Sequence, residues 1–179
     1  QVSITALLRA PELARKLILL APAGFETFSA TEKALVRSFY QPALIRAMPT
    51  EQIRQNFAAN FSDFPSDAEF MIEDRMALRQ SKDHLHYSRM IPKCMVGMMK
   101  EPVFHRLPEI RVPTLIIFGA DDQLIPNKML HPGLTTIAVA ESGAASIPTS
   151  RLEIMRPCGH FVQWECAPAV NRSIRGFLS

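Results

Sequence analysis

Three short apolar runs set the frame of the chain. Residues 16–22 (Lys-Leu-Ile-Leu-Leu-Ala-Pro) form the first, closed by Pro22 and Gly24. Residues 114–118 (Thr-Leu-Ile-Ile-Phe) form the second, introduced by Pro113 and stopped by Gly119. Residues 151–155 (Arg-Leu-Glu-Ile-Met) form a weaker third, ended by Pro157. Apolar runs without alternation, bounded by turn residues, read as strands covered on both faces, as in parallel sheets layered with helices. Helical spacing flanks them. Ile4, Leu7 and Leu8 mark a helix over residues 1–9 that halts at Pro11, and Val170, Ile174, Phe177 and Leu178 fall on one face of a last helix. Strand, helix and strand in turn predict a parallel α/β architecture.

Between the first two strands, residues 25–111 are too many for a structureless loop inside a compact domain. Ser29-Ala30-Thr31-Glu32 and Ser66-Asp67-Ala68-Glu69 both fit the capping box that opens a helix, and Leu35, Val36 and Phe39 follow the first at helical spacing. A further helix is expected from Thr50 through Ile53 and Phe57. The expectation is a helical subdomain over the sheet edge, with core at residues 1–26 and 108–179 and the insert at 27–107. Met90, Met95, Met98 and Met99 read either as an adaptable apolar pocket or as plain helix core. The connection over residues 126–151 is long, and its small residues from Ala138 to Ser146 suggest a helix plus a flexible extension.

Composition removes several classes. The 179 residues suffice for one compact domain, and 47% hydrophobic with 21% charged residues is ordinary for a globular chain. A net charge of +3, scattered rather than striped, predicts no nucleic-acid partner. No apolar run nears the roughly 20 residues of a spanning helix, so a membrane partner is not expected either. Cys94, Cys158 and Cys166 are odd in number and lack CxxC spacing, which reads as reduced, mostly buried thiols in a cytoplasmic protein rather than zinc ligands or a disulfide framework. The first residues show no charged stretch followed by an apolar core and cleavage site. His84-x-His86 lacks further ligands nearby and reads as solvated, and nothing calls for a metal or a cofactor.

The chemistry concentrates at two strand ends. The second strand delivers Asp121 and Asp122 at its carboxyl end, where ligands bind in open α/β sheets. The third is followed by Cys158-Gly159-His160-Phe161, an imidazole beside apolar bulk. Acid at one strand end and histidine at the next, in that order, suits a triad in which the acid orients the imidazole and stabilises its cation.

Pro113-Thr114-Leu115-Ile116-Ile117-Phe118-Gly119-Ala120-Asp121-Asp122 resembles the acid-bearing strand of the α/β-hydrolase superfamily, and Gly159-His160-Phe161-x-Gln163-Trp164-Glu165 resembles its histidine loop. Lid-bearing esterases and carbon–carbon bond hydrolases show the likeness best, and Leu17 to Gly24 is similar to the strand leading into the lid. The resemblance implies three parallel strands with flanking helices plus a helical lid, the C-terminal portion of the fold. It also implies Asp122 rather than Asp121 as the acid, three residues after the glycine, His160 as the base, and a small-molecule substrate. The family's nucleophile stands in a G-x-S-x-G elbow, and that motif is absent here. Residues 1–8 resemble the helix after the elbow, so the nucleophile, Ser or Asp, is expected upstream of Gln1, and the chain alone is expected to be inactive. Substitutes are poor: Ser3 lies within a helix, Cys158 abuts the histidine in sequence, Ser142-Gly143 falls in a loop fed by no strand, and His131 precedes the third strand. The alternative is a non-catalytic ligand- or protein-binding module. Its exposed first strand would invite self-association or pairing with a missing N-terminal half.

Overall fold

The computed structural model describes residues 1–179. Its helices are α1 (Val2–Arg9), α2 (Ala30–Phe39), α3 (Pro42–Ala47), α4 (Thr50–Ala58), α5 (Glu69–Gln80), α6 (His84–Lys100), α7 (Thr136–Ala145), α8 (Val162–Glu165) and α9 (Ala167–Leu178). The strands β1 (Leu17–Leu20), β2 (Thr114–Gly119) and β3 (Ser150–Met155) form one parallel sheet in the order β1-β2-β3. Leu17 pairs with Thr114, and Thr114 with Ser150.

The unalternating run of β2 has a direct cause. All six of its residues are buried. Ile116 and Phe118 face one cluster with Ile4 and Leu7 of α1, Leu17 and Leu19 of β1, and Val139 and Ala140 of α7. Leu115 and Ile117 face another with Cys158, Val162 and Val170, against which Ile18, Leu20, Ile174 and Phe177 pack. Helices thus cover both faces of the central strand, and a polar residue at either parity would lose its water.

Two compact units are distinguishable: Gln1–Thr27, Ala59–Ser62 and Val103–Ser179 in one, Phe28–Ala58 and Asp63–Pro102 in the other. Residues 59–62 and 103–107 join the sheet unit because Val103 and Leu107 enter its core and Phe61 packs edge-on against Phe161 and Trp164.

Several local expectations need correction. The first strand stops at Leu20, because Ala21 turns into the left-handed region at φ 40° while its N–H donates to Ile117 O at 2.8 Å. The capping box forms at Ser29, whose hydroxyl accepts from Glu32 N while Glu32 caps Ser29 N. It does not form at Ser66: residues 66–68 wind into a 3-10 turn, and the Glu69 carboxylate is held by the Arg54 guanidinium. Leu35 and Phe39 are exposed, so Val36 alone anchors α2. Leu178 is exposed as well, and Lys16 Nζ donates instead to the last carbonyls of α9, Phe177 O at 2.6 Å and Leu178 O at 3.0 Å. The four methionines of α6 do not share an environment: Met99 is buried, Met90 is exposed, and Met95 and Met98 lie between. Cys94 is exposed, contrary to the reading of mostly buried thiols. His84 is half-buried rather than solvated, and burial, then Arg75, Arg46 and Arg79, hold its imidazole below the ordinary range.

The connection after β2 contains the expected helix, preceded by an ordered turn. In that turn Asn127 Oδ1 accepts from Met129 N at 3.1 Å and Leu130 N at 3.2 Å. The small residues then form α7, opened by Thr135, whose hydroxyl accepts from Ala138 N. Ser142-Gly143 is therefore helical, and Gly143 is required there because a Cβ would sit 2.0 Å from the Phe25 ring.

Candidate active site

Strand β2 ends at Gly119, and the chain must turn at once beneath the loop that follows β3. A Cβ on Gly119 would lie 2.0 Å from Gly159 O and 2.3 Å from Cys158 O. This near contact seats the two loops against each other. Asp121 N donates to Cys158 O at 2.9 Å, and Cys158 N donates to Asp121 Oδ2 at 3.1 Å.

Asp122 is the next residue and is buried, at 3% exposure. Its Oδ1 accepts from Leu124 N at 2.7 Å and Ile125 N at 3.0 Å, so a tight turn wraps one carboxylate oxygen. The other oxygen, Oδ2, lies 2.8 Å from His160 Nδ1. The structure therefore brings Asp122 and His160 together, while the Asp121 carboxylate braces the Cys158 backbone. Thr136 supports the turn from outside, its hydroxyl donating to Ile125 O at 2.7 Å.

His160 is held by its own loop. Phe161 N donates to Asn60 O at 2.9 Å, and Gly159 N donates to Glu165 Oε2 at 2.6 Å. Glu165 Oε1 also accepts from Ser62 N at 2.8 Å and Ser62 Oγ at 2.6 Å. One carboxylate thereby ties together the residues on either side of the imidazole and the segment at residues 59–62. Glu165 stands in the Gly-His-Phe-x-Gln-Trp-Glu stretch, but its clamping role requires Ser62, 103 residues away. Thr136 carried no legible signal at all.

With Nδ1 engaged by a carboxylate, the imidazole is fixed in rotation and its Nε2 is the nitrogen available for proton transfer. Nearby alternatives do not share this geometry. His131 pairs with Glu26, Nδ1 to Oε1 at 2.5 Å, and Glu26 also accepts from Asn127 N. Cys158 is fully buried, and burial, then its neighbour Cys166, pushes its thiol well above the usual range, the opposite of an activated nucleophile. Ser3 and Ser142 are exposed on helices.

The chain is 32% identical over 155 residues to a 2-hydroxy-6-oxononadienedioate/2-hydroxy-6-oxononatrienedioate hydrolase of Cupriavidus pinatubonensis, a match covering 76% of this chain and 49% of that protein. It is 28% identical to a 2-hydroxy-6-oxo-6-phenylhexa-2,4-dienoate hydrolase of Delftia acidovorans, over 96% of this chain and 57% of that one. The chain thus spans about half the length of the curated relatives it matches. Among solved structures, a probable hydrolytic enzyme of Pseudomonas aeruginosa superposes with a TM-score of 0.79 at 18% identity, over 99% of this chain and 60% of that one. A 2-hydroxy-6-oxo-6-phenylhexa-2,4-dienoate hydrolase of Rhodococcus does so with a TM-score of 0.67 at 18% identity, over 99% and 59%. No protein-family model matches. By relatives and by fold, the chain belongs to the α/β-hydrolase superfamily. Its relatives there are hydrolases named for 2-hydroxy-6-oxo-dienoates, and its structural neighbours include esterases.

Proposed function

We propose that this chain supplies the acid and the base of a nucleophile–histidine–acid triad that hydrolyses a small ester or a carbon–carbon bond beside a ketone. The observation that supports the reading is the 2.8 Å pairing of His160 Nδ1 with the buried Asp122 carboxylate. In the reaction, His160 Nε2 takes the proton of a nucleophile, or of the water it activates, as the carbonyl is attacked, then returns it to the leaving group. Asp122 holds the tautomer and stabilises the imidazolium. The helical insert acts as the lid that selects the substrate, and the names of the relatives favour a ketone-bearing dienoate over a simple ester.

On this reading the nucleophile, Ser or Asp, is supplied from outside these 179 residues, among which no G-x-S-x-G occurs. Losing a triad nucleophile costs roughly a millionfold in turnover, on the order of 8 kcal/mol of barrier. The purified chain alone is therefore expected to show no turnover of aryl esters or of 2-hydroxy-6-oxo-dienoates. Joined to a strand–elbow segment bearing Gly-x-Ser-x-Gly, it should gain turnover that His160→Ala removes. Turnover by the chain alone, or activity of the joined protein that survives His160→Ala, would refute the assignment. A joined protein that folds and binds dienoate without turning it over would instead favour a binding module.

A further inference from the structure

We infer that Glu165 is a positioning residue for the His160–Asp122 pair: its carboxylate, bridging Gly159 and Ser62, locks the peptide that carries the imidazole onto the segment at residues 59–62. The inference rests on the triad reading and names what holds its base in place. The Asp122 contact fixes one edge of the imidazole, but where the ring stands depends also on the backbone at residue 160. Both peptide neighbours of His160 are anchored to the same short segment. Phe161 N donates to Asn60 O at 2.9 Å. Gly159 N donates to Glu165 Oε2 at 2.6 Å, and Glu165 Oε1 carries the link on to Ser62 N at 2.8 Å and Ser62 Oγ at 2.6 Å. A Cβ on Gly159 would lie 2.6 Å from both Phe61 C and Ser62 N, so the segment lies directly against the histidine loop. The acid is tied to the same place, because Gln123, the residue after Asp122, donates from Nε2 to Phe61 O at 3.4 Å. Acid and base are thus registered against one segment.

Glu165 reaches its post because α8 is a single turn, in which its N–H donates to Phe161 O at 3.0 Å. A carboxylate suits the task. It accepts at both oxygens, and its hydrogen bonds are stronger than those between neutral groups. An amide of the same size is no substitute. Whichever way it turns, its amino group meets the N–H of Gly159 or the N–H of Ser62, donor against donor. Glu165→Gln therefore separates positioning from mere filling of space: it keeps the volume and loses one anchor.

The first test follows the imidazole in the full chain. Long-range proton–nitrogen correlation spectra show which ring nitrogen carries the proton, and His160→Ala assigns the His160 signals. Wild-type His160 should hold its proton on Nδ1, facing Asp122. Glu165→Ala and Glu165→Gln should move its pattern toward that of exposed His86. Ser62→Ala, which removes only the hydroxyl of an exposed residue, should move it part of the way. Glu165→Gln that keeps the wild-type pattern, whatever its melting temperature, would overturn the inference. The second test is kinetic, in the nucleophile-bearing protein. Glu165→Gln should lower kcat by about a hundredfold, as displacement of a reacting group by an ångström can, with KM little changed. Activity that survives His160→Ala would remove the triad reading itself. Activity lost in His160→Ala but intact in Glu165→Gln would remove only the positioning role.

Discussion

Asp122 shows how one side chain serves two purposes. One oxygen closes the turn through the N–H groups of Leu124 and Ile125, and the other faces His160. The two can be separated by substitution. Asp122→Ala strips a buried acceptor and leaves those donors without a partner, at an expected cost of about 3 kcal/mol. Asp122→Asn keeps an acceptor for the turn and should cost less than half as much in urea unfolding. It turns an amide toward the imidazole, however, which forces Nδ1 to accept and places the proton on Nε2. In the nucleophile-bearing protein of the proposed reaction, Asp122→Asn is therefore expected to lower kcat by about 10⁴. Comparable losses of stability from both variants would show that the turn depends on the negative charge and not on an acceptor of that shape.

At the scale of elements, the end of β2 and the loop after β3 are built around a missing side chain. Gly119→Ala places a methyl group where Gly159 O and Cys158 O already sit, so the loops must part. A loss of about 1–3 kcal/mol is expected, together with a shift in the His160 imidazole resonances as the Asp122 contact lengthens. Gly133→Ala, where nothing lies within 4 Å, should stay within about 0.5 kcal/mol. Equal melting temperatures for the two variants would contradict the close packing. The same scale explains the capping boxes. Ser29 and Ser66 read alike in sequence, yet Glu69 is engaged by Arg54, 15 positions away, and only Ser29 acquires its reciprocal cap.

Across the whole sheet unit, β2 divides the core into two layers that share no side chain. Ile116→Ala should loosen the layer of α1 and α7, and Leu115→Ala the layer of α8 and α9. Each is expected to cost about 2–5 kcal/mol. Hydrogen exchange should report the separation: faster exchange in α7 for the first variant and in α9 for the second. Identical exchange patterns would mean that the layers respond as one.

The sequence by itself determined the three strands, their parallel character and the pairing of acid with histidine. Uninterrupted apolar runs such as 114–118 have few solutions other than burial on both faces, and a strand's carboxyl end is where such a sheet presents its polar groups. It did not determine which side chains brace that pair. Glu165 reaching Ser62, Thr136 holding the Asp122 turn and Glu26 meeting His131 are contacts made after the chain has folded back. Local patterning reports what a residue needs from its immediate neighbours and from water. Which distant group meets that need is decided only when the layers close.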